Sequence, residues 1–171
     1  MTLPDPEISA RTFAMLLHLR EATPADIYQF RMLFEPPAAG MAAERATEQD
    51  IAELRLVVEE EAKEAAVPSR FTEVAWGFHT HVVRLSGNRT MSLVCEVLER
   101  ISQRHAREVS ETANNGVTQN RRSVKSHARL IELIEAGDRV NAERHWRRHM
   151  EAAGEVLLRQ TAPMSILELL D

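Results

Sequence analysis

The chain has 171 residues, enough for one domain that buries its own core without help from disulfides or metal. Its 21 Lys and Arg stand against 26 Asp and Glu, a formal net charge of −5, which argues against a surface built to grip nucleic-acid phosphates. A 44% hydrophobic and 27% charged composition excludes wholesale disorder, and the lone Cys95 excludes an internal disulfide or a cysteine-based zinc cluster.

Ala, Glu, Leu and Arg recur at helical spacing, and alternating β-branched runs are missing. A first short helix is predicted from about Ile8 to Arg20. Thr23 and Pro24 then supply an N-cap and a first-turn proline for a second helix, which runs past Phe30, Arg31 and Phe34 to about Ala46. Pro36-Pro37 inside it predicts a kink or a break. Thr47 heads a third helix with Ile51, Leu54, Val57 and Val58 on its apolar face, before the pattern fades into the polar run Glu59–Ala65. Pro68-Ser69 opens a fourth helix that ends at Ser86-Gly87-Asn88, where Gly87 or Asn88 can take the left-handed conformation. A fifth spans roughly Arg89 to Thr112, and Asn114-Asn115-Gly116 interrupts the pattern. A sixth lies near Gln119 to Glu135. Asp138 caps the last, from about Arg139 to Gln160, which Pro163 stops.

The predicted architecture is an all-α, mainly antiparallel bundle of six or seven helices. It occupies residues 1–162, and residues 163–171 form a leucine-rich tail (Ile166, Leu167, Leu169, Leu170) that packs on the bundle, joins a dimer contact or frays. No stretch approaches the roughly 18 apolar residues of a membrane span, and the start has no signal-peptide pattern, so a cytoplasmic location without a membrane partner is expected.

Any chemistry lies in the seven histidines. At 100° per residue, His149 shares a stripe with Ala142, Trp146, Ala153 and Val156. His127 falls among Val124, Ile131 and Ile134, and His79 flanks the stripe of Phe71, Phe78 and Val82. One imidazole on a core stripe is ordinarily a histidine bonded to a carbonyl. Three on separate helices are also the set that Zn(II) and related ions take. Spacing alone does not choose between them. His145 and His149 form a rival pair at i, i+4, while His18, His81 and His105 read as surface or boundary residues. No phosphate loop, nucleophile elbow or HExxH pattern appears, and no acid stands out on the apolar stripes, so catalysis is not expected.

Thr23-Pro24-Ala25-Asp26-Ile27-Tyr28 with Arg31, Leu33 and Glu35, followed by Ala42-Ala43-Glu44-Arg45-Ala46-Thr47, resembles the opening of an FCD domain. Phe78-His79 with Ser86-Gly87-Asn88 is similar to the domain's central signature. Ser126-His127, Ile134-Glu135-Ala136-Gly137-Asp138, Ala142 and His149 are similar to its closing one. FCD domains are the effector-binding domains of the FadR subfamily of GntR-type transcription regulators, and the resemblance covers about residues 8–160. It implies a helical bundle around a pocket for a small carboxylate metabolite, in a homodimer.

It also implies a divalent metal, zinc foremost with nickel or another ion possible, held by His79, His127 and His149. The aspartate that accompanies these histidines in many members maps to Ala75, so weaker metal affinity is expected, and Glu73 is a poor replacement. The resemblance makes Arg31 and Asn88 candidate ligand-binding residues. Arg31 can alternatively pair with Glu35, and Asn88 can simply cap a helix; Trp76 and Phe78 read as core. DNA contact is expected only through a winged-helix domain for which this chain has no room. The competing readings are a metal-dependent hydrolase-like bundle and a plain dimerisation module with a vestigial pocket.

Overall fold

A computed structural model describes residues 6–112 and 116–160, with side chains described over 8–102 and 116–155. The described residues form seven helices and no strand: α1 (Pro6–Leu19), α2 (Pro24–Ala43), α3 (Glu48–Glu64), α4 (Pro68–Leu85), α5 (Arg89–Thr112), α6 (Gly116–Glu135) and α7 (Arg139–Gln160). The all-α prediction holds. The leucine-rich tail and the Asn114-Asn115 turn lie outside the described residues.

Local chemistry sets the helix starts. Thr23 and Thr47 each accept a hydrogen bond from the N–H three residues on, while Asp26 and Asp50 reach back to the cap N–H at 2.7 and 2.8 Å. Asp138 Oδ1 accepts from the Asn141 N–H and caps α7. Gly87 and Gly137 end α4 and α6 with φ of 72° and 67°, a conformation that costs side-chain-bearing residues energy. Two boundaries differ from expectation. α6 begins at Gly116 rather than Gln119, and α2 stops at Ala43.

The Pro36-Pro37 pair does not break α2, which runs unbroken to Ala43. Each proline forfeits one helical N–H bond. The surrounding segment, with Phe34, Ala38, Ala39 and Ala42 all buried, gains enough packing against α4, α5 and α7 to carry the helix through.

Side-chain partners give the helix directions. Tyr28 Oη donates to the Met150 carbonyl at 2.6 Å, while Gly40 at the other end of α2 meets Arg139 and Glu143, so α2 and α7 run antiparallel. The α3–α6 pair is antiparallel too, with Arg55 on Glu135, Glu61 on His127, and the Asn120 amide donating to the Ala65 carbonyl. α2 with α4 is instead a parallel pair: Arg31 meets Trp76, Glu35 meets His79 and Arg45 meets Ser86. α1 packs on α5 rather than on its chain neighbour.

The core is built from two apolar clusters. One runs from Tyr28, Ala39 and Leu54 to Phe78, Leu130 and Trp146; the other joins Ala14, Phe34, Val83, Cys95 and Ile101. α7 approaches α2 closely because Gly154 has no side chain: a Cβ there would lie 2.5 Å from the Tyr28 ring.

Two glycine substitutions should therefore act in opposite directions. Gly154→Ala forces the Tyr28 ring away and should cost about 1–3 kcal/mol from overpacking, only partly offset by helix propensity. Exposed Gly77, with nothing within 4 Å of its would-be Cβ, should gain about 0.5–1 kcal/mol on substitution by Ala. Urea denaturation midpoints check both signs.

Candidate metal centre

His79 on α4, His127 on α6 and His149 on α7 converge in the interior, all three buried. Their ring centroids lie 4.7 to 5.5 Å apart, and one nitrogen from each lies within 4.8 Å of the others. The three residues that helical periodicity selects are thus brought to one point. His145 is not among them. Its Nε2 donates to the Ser126 carbonyl at 2.8 Å, so the i, i+4 pair with His149 does not form.

Two acids complete the cluster, Glu61, which the sequence reading passed over, and Glu35, which it placed only beside Arg31. Glu61 on α3 is fully buried, with its two oxygens 2.8 and 2.9 Å from His127 Nδ1. Glu35 on α2, also fully buried, places Oε2 2.7 Å from His79 Nδ1 and accepts from Arg31 Nε at 2.5 Å. The expectation that no acid lies on the apolar stripes is corrected here. Ile51, Leu54, Val58, Glu61 and Ala65 form one buried stripe at three- and four-residue steps, and Glu61 occupies it because His127 satisfies its carboxylate. The fading of the apolar pattern after Val58 concealed it.

These carboxylates fix the imidazole tautomers. An ionised carboxylate only accepts, so Nδ1 is the donor where His79 meets Glu35, and the Nδ1 of His127 faces Glu61 in the same way. For Glu35 the ionisation is explicit: burial pushes its carboxyl up, but Arg31 and His79 outweigh that and hold it at about 2. Burial also drives His79 and His149 below the ordinary imidazole value, His149 further because His127 and His79 crowd it. Neutral imidazoles are what a metal requires.

The donor set fits a divalent ion. Metal–nitrogen bonds of about 2.0–2.1 Å separate adjacent ligand nitrogens by roughly 3–3.4 Å; His127 Nε2 and His149 Nε2, in hydrogen-bond contact at 3.1 Å, already have that spacing, and the set as a whole lies within 4.8 Å. No acid stands at position 75, and Glu73 points to the exposed side of α4.

Aromatic rings wall the cluster. Phe78 stacks on His127 with centroids 4.4 Å apart, and Trp146 stacks on His149 at 4.5 Å. The Trp146 ring also lies against His79 and His127, and its buried Nε1–H has no hydrogen-bond partner. Arg31 is buried with its guanidinium 3.7 Å over the Trp76 ring and Nη2 3.1 Å from His79 Nδ1. The Arg31–Glu35 ion pair and a place beside the histidines thus coexist. Phe78 and Trp76 are core residues that also line the cluster. Asn88 sits elsewhere, its Oδ1 accepting from the Thr90 and Met91 N–H groups at the start of α5. A groove of about 680 Å³ between α6 and α7, lined by Gln119, Arg122, Ser123, Ser126 and Arg148 among others, reaches the cluster at His149.

The FCD domain family model matches residues 26–152. The chain belongs to this family. FCD domains are the effector-binding domains of GntR-family regulators, and the solved structures agree in fold. Streptococcus agalactiae GntR superimposes with a TM-score of 0.63 at 20% identity, over 77% of this chain and 57% of that one. E. coli McbR/YncC gives 0.69 at 20% identity, over 79% of this chain and 64% of its own. The FCD chain therefore spans about three fifths of the length of these two structures. No curated protein sequence matches it.

Acid should destabilise the metal-free FCD domain in two windows. Unfolded histidine takes up protons below about 6.5 while folded His79 and His149 resist, so stability falls as the pH drops through that value. Glu35 adds a second loss as the pH falls from its ordinary 4.5 toward about 2. Melting temperatures across this range should decline in both steps, and His149→Gln should flatten the first. A flat profile between about pH 7 and 5 in the wild type would contradict this assignment.

Proposed function

We propose that this FCD domain senses a small carboxylate metabolite through a divalent metal held by His79, His127 and His149, as part of a FadR-type regulator in the cytoplasm. The carrying observation is the convergence of three buried imidazoles, two of them oriented by buried carboxylates. The bound ion would act as a Lewis acid that accepts an effector oxygen. His79, His127 and His149 would supply the lone pairs, and Phe78 and Trp146 hold the His127 and His149 rings by stacking. Arg31 adds positive charge beside His79, and the unpartnered Trp146 N–H is a donor available to an effector oxygen. The groove at His149 gives a polar approach to the cluster, with Arg122 and Arg148 balanced by Glu151 and Glu155 along its walls. The role proposed for Asn88 is helix capping rather than ligand contact.

An effector touching α4, α6 and α7 together has the differential contacts that shift a population of bundle arrangements. A homodimer is the proposed assembly, supported by the exposed apolar side chains of Met15, Leu16 and Leu19 on α1 and of Leu33 on α2. DNA would be reached through a winged-helix domain joined to this one. The arrangement favours sensing over hydrolysis. A hydrolase needs a free general base beside the metal, and Glu35 and Glu61 are both committed to imidazole Nδ1 atoms.

Titration of metal-stripped protein with zinc decides the metal. His149→Ala should weaken binding by more than about 100-fold, beyond the cost of an outer-shell change. Equal, weak binding by wild type and variant would end the reading. With zinc bound, a panel of small mono- and dicarboxylates should raise the melting temperature, and with metal removed it should not.

A further inference from the structure

We infer that Glu35 and Glu61 are the positioning and charge-balancing residues of the histidine cluster, performing from behind the rings what an anionic ligand would perform in front of them. The inference rests on the metal reading above but reaches residues to which that reading gives no coordinating role. Three neutral imidazoles bring no charge to a buried dication, which is costly to hold in an apolar interior without compensation. The two carboxylates that touch the cluster are fully buried, come from helices that carry none of the three histidines, and meet Nδ1 of His79 and of His127, the latter ring turning its Nε2 to His149. His127 Nδ1 lies close to both Glu61 oxygens, at 2.8 and 2.9 Å, so the ring is held by the whole carboxyl group.

Charge counting gives the arrangement a consequence. Glu35, Glu61 and Arg31 leave the metal-free cluster with a net charge of −1, which opposes entry of a carboxylate. A divalent ion changes the sum to +1, which one monoanionic carboxylate group neutralises. The two glutamates therefore make effector binding conditional on the metal, and they favour one carboxylate at the metal over two.

The test uses zinc titration together with ¹⁵N NMR of the imidazole nitrogens in metal-free protein. Glu61→Gln keeps an acceptor for His127 but removes the charge, and zinc affinity should fall about 10- to 100-fold with little change in melting temperature. Adding Ala75→Asp, one helical turn before His79 and on its face, should recover affinity in the Glu61→Gln background by returning a negative charge. The NMR spectra of wild type should show protonated Nδ1 on His79 and His127, and Glu61→Gln should allow the other tautomer at His127. Wild-type affinity in Glu61→Gln, or an Nε2-protonated His127 in wild type, overturns the inference. A wild type that shows the expected tautomers but ignores zinc sinks the metal reading and leaves the positioning role standing.

Discussion

Polar groups buried together must satisfy one another, and the interior of this bundle is organised around that requirement. An imidazole, carboxylate or guanidinium left unpaired in an apolar core costs several kcal/mol or changes its protonation state. Here Glu61 meets His127, while Glu35 joins His79 to Arg31, whose charge spreads over the Trp76 face. Each set links two helices, α3 to α6 through Glu61 and His127, and α2 to α4 through Arg31, Glu35 and His79. The site is therefore not a cavity placed inside a finished core. It is part of what fixes α2, α3, α4, α6 and α7 against one another.

The same requirement explains what could be read from the sequence. Helical angles place His79, His127 and His149 on apolar stripes without reference to any partner, and the structure brings the three together. The caps at Thr23, Thr47 and Asp138 depend on residues within one turn and were equally legible. Glu61 was not. Its position on the stripe of Ile51, Leu54 and Val58 is visible, but an acid there reads as the end of an apolar face until a partner 66 residues away is known. Glu35 was recognised only as a local companion of Arg31, since nothing in its own helix announces His79. The parallel pairing of α2 with α4, which brings Glu35 to His79, is set by tertiary packing that no local pattern encodes.

Pro36-Pro37 teaches the complementary lesson. Proline is the strongest local signal against a helix interior, yet α2 continues, because a helix buried on several sides is held by its packing more than by its own hydrogen bonds. The segment that follows the prolines is nearly all alanine and glycine, small enough for α7 to approach at Gly40. Local propensity lost to tertiary contact at the place where close approach matters most.

That approach bears on how a signal would leave the site. α7 carries Trp146 and His149, and α2 carries Arg31 and Glu35, so one antiparallel pair holds groups on both sides of the cluster. Its contacts at Gly40 and at Gly154–Tyr28 are tight, and tightly packed interfaces shift between discrete arrangements rather than deforming smoothly. A ligand that draws His149 toward His79 and His127 must either strain the α2–α7 contact or carry α2 along. α2 in turn presents Leu33 at the surface. A change at the histidines thus has a short, packed route to an exposed apolar face, which is what a sensor needs if its output is the way it holds a neighbouring subunit.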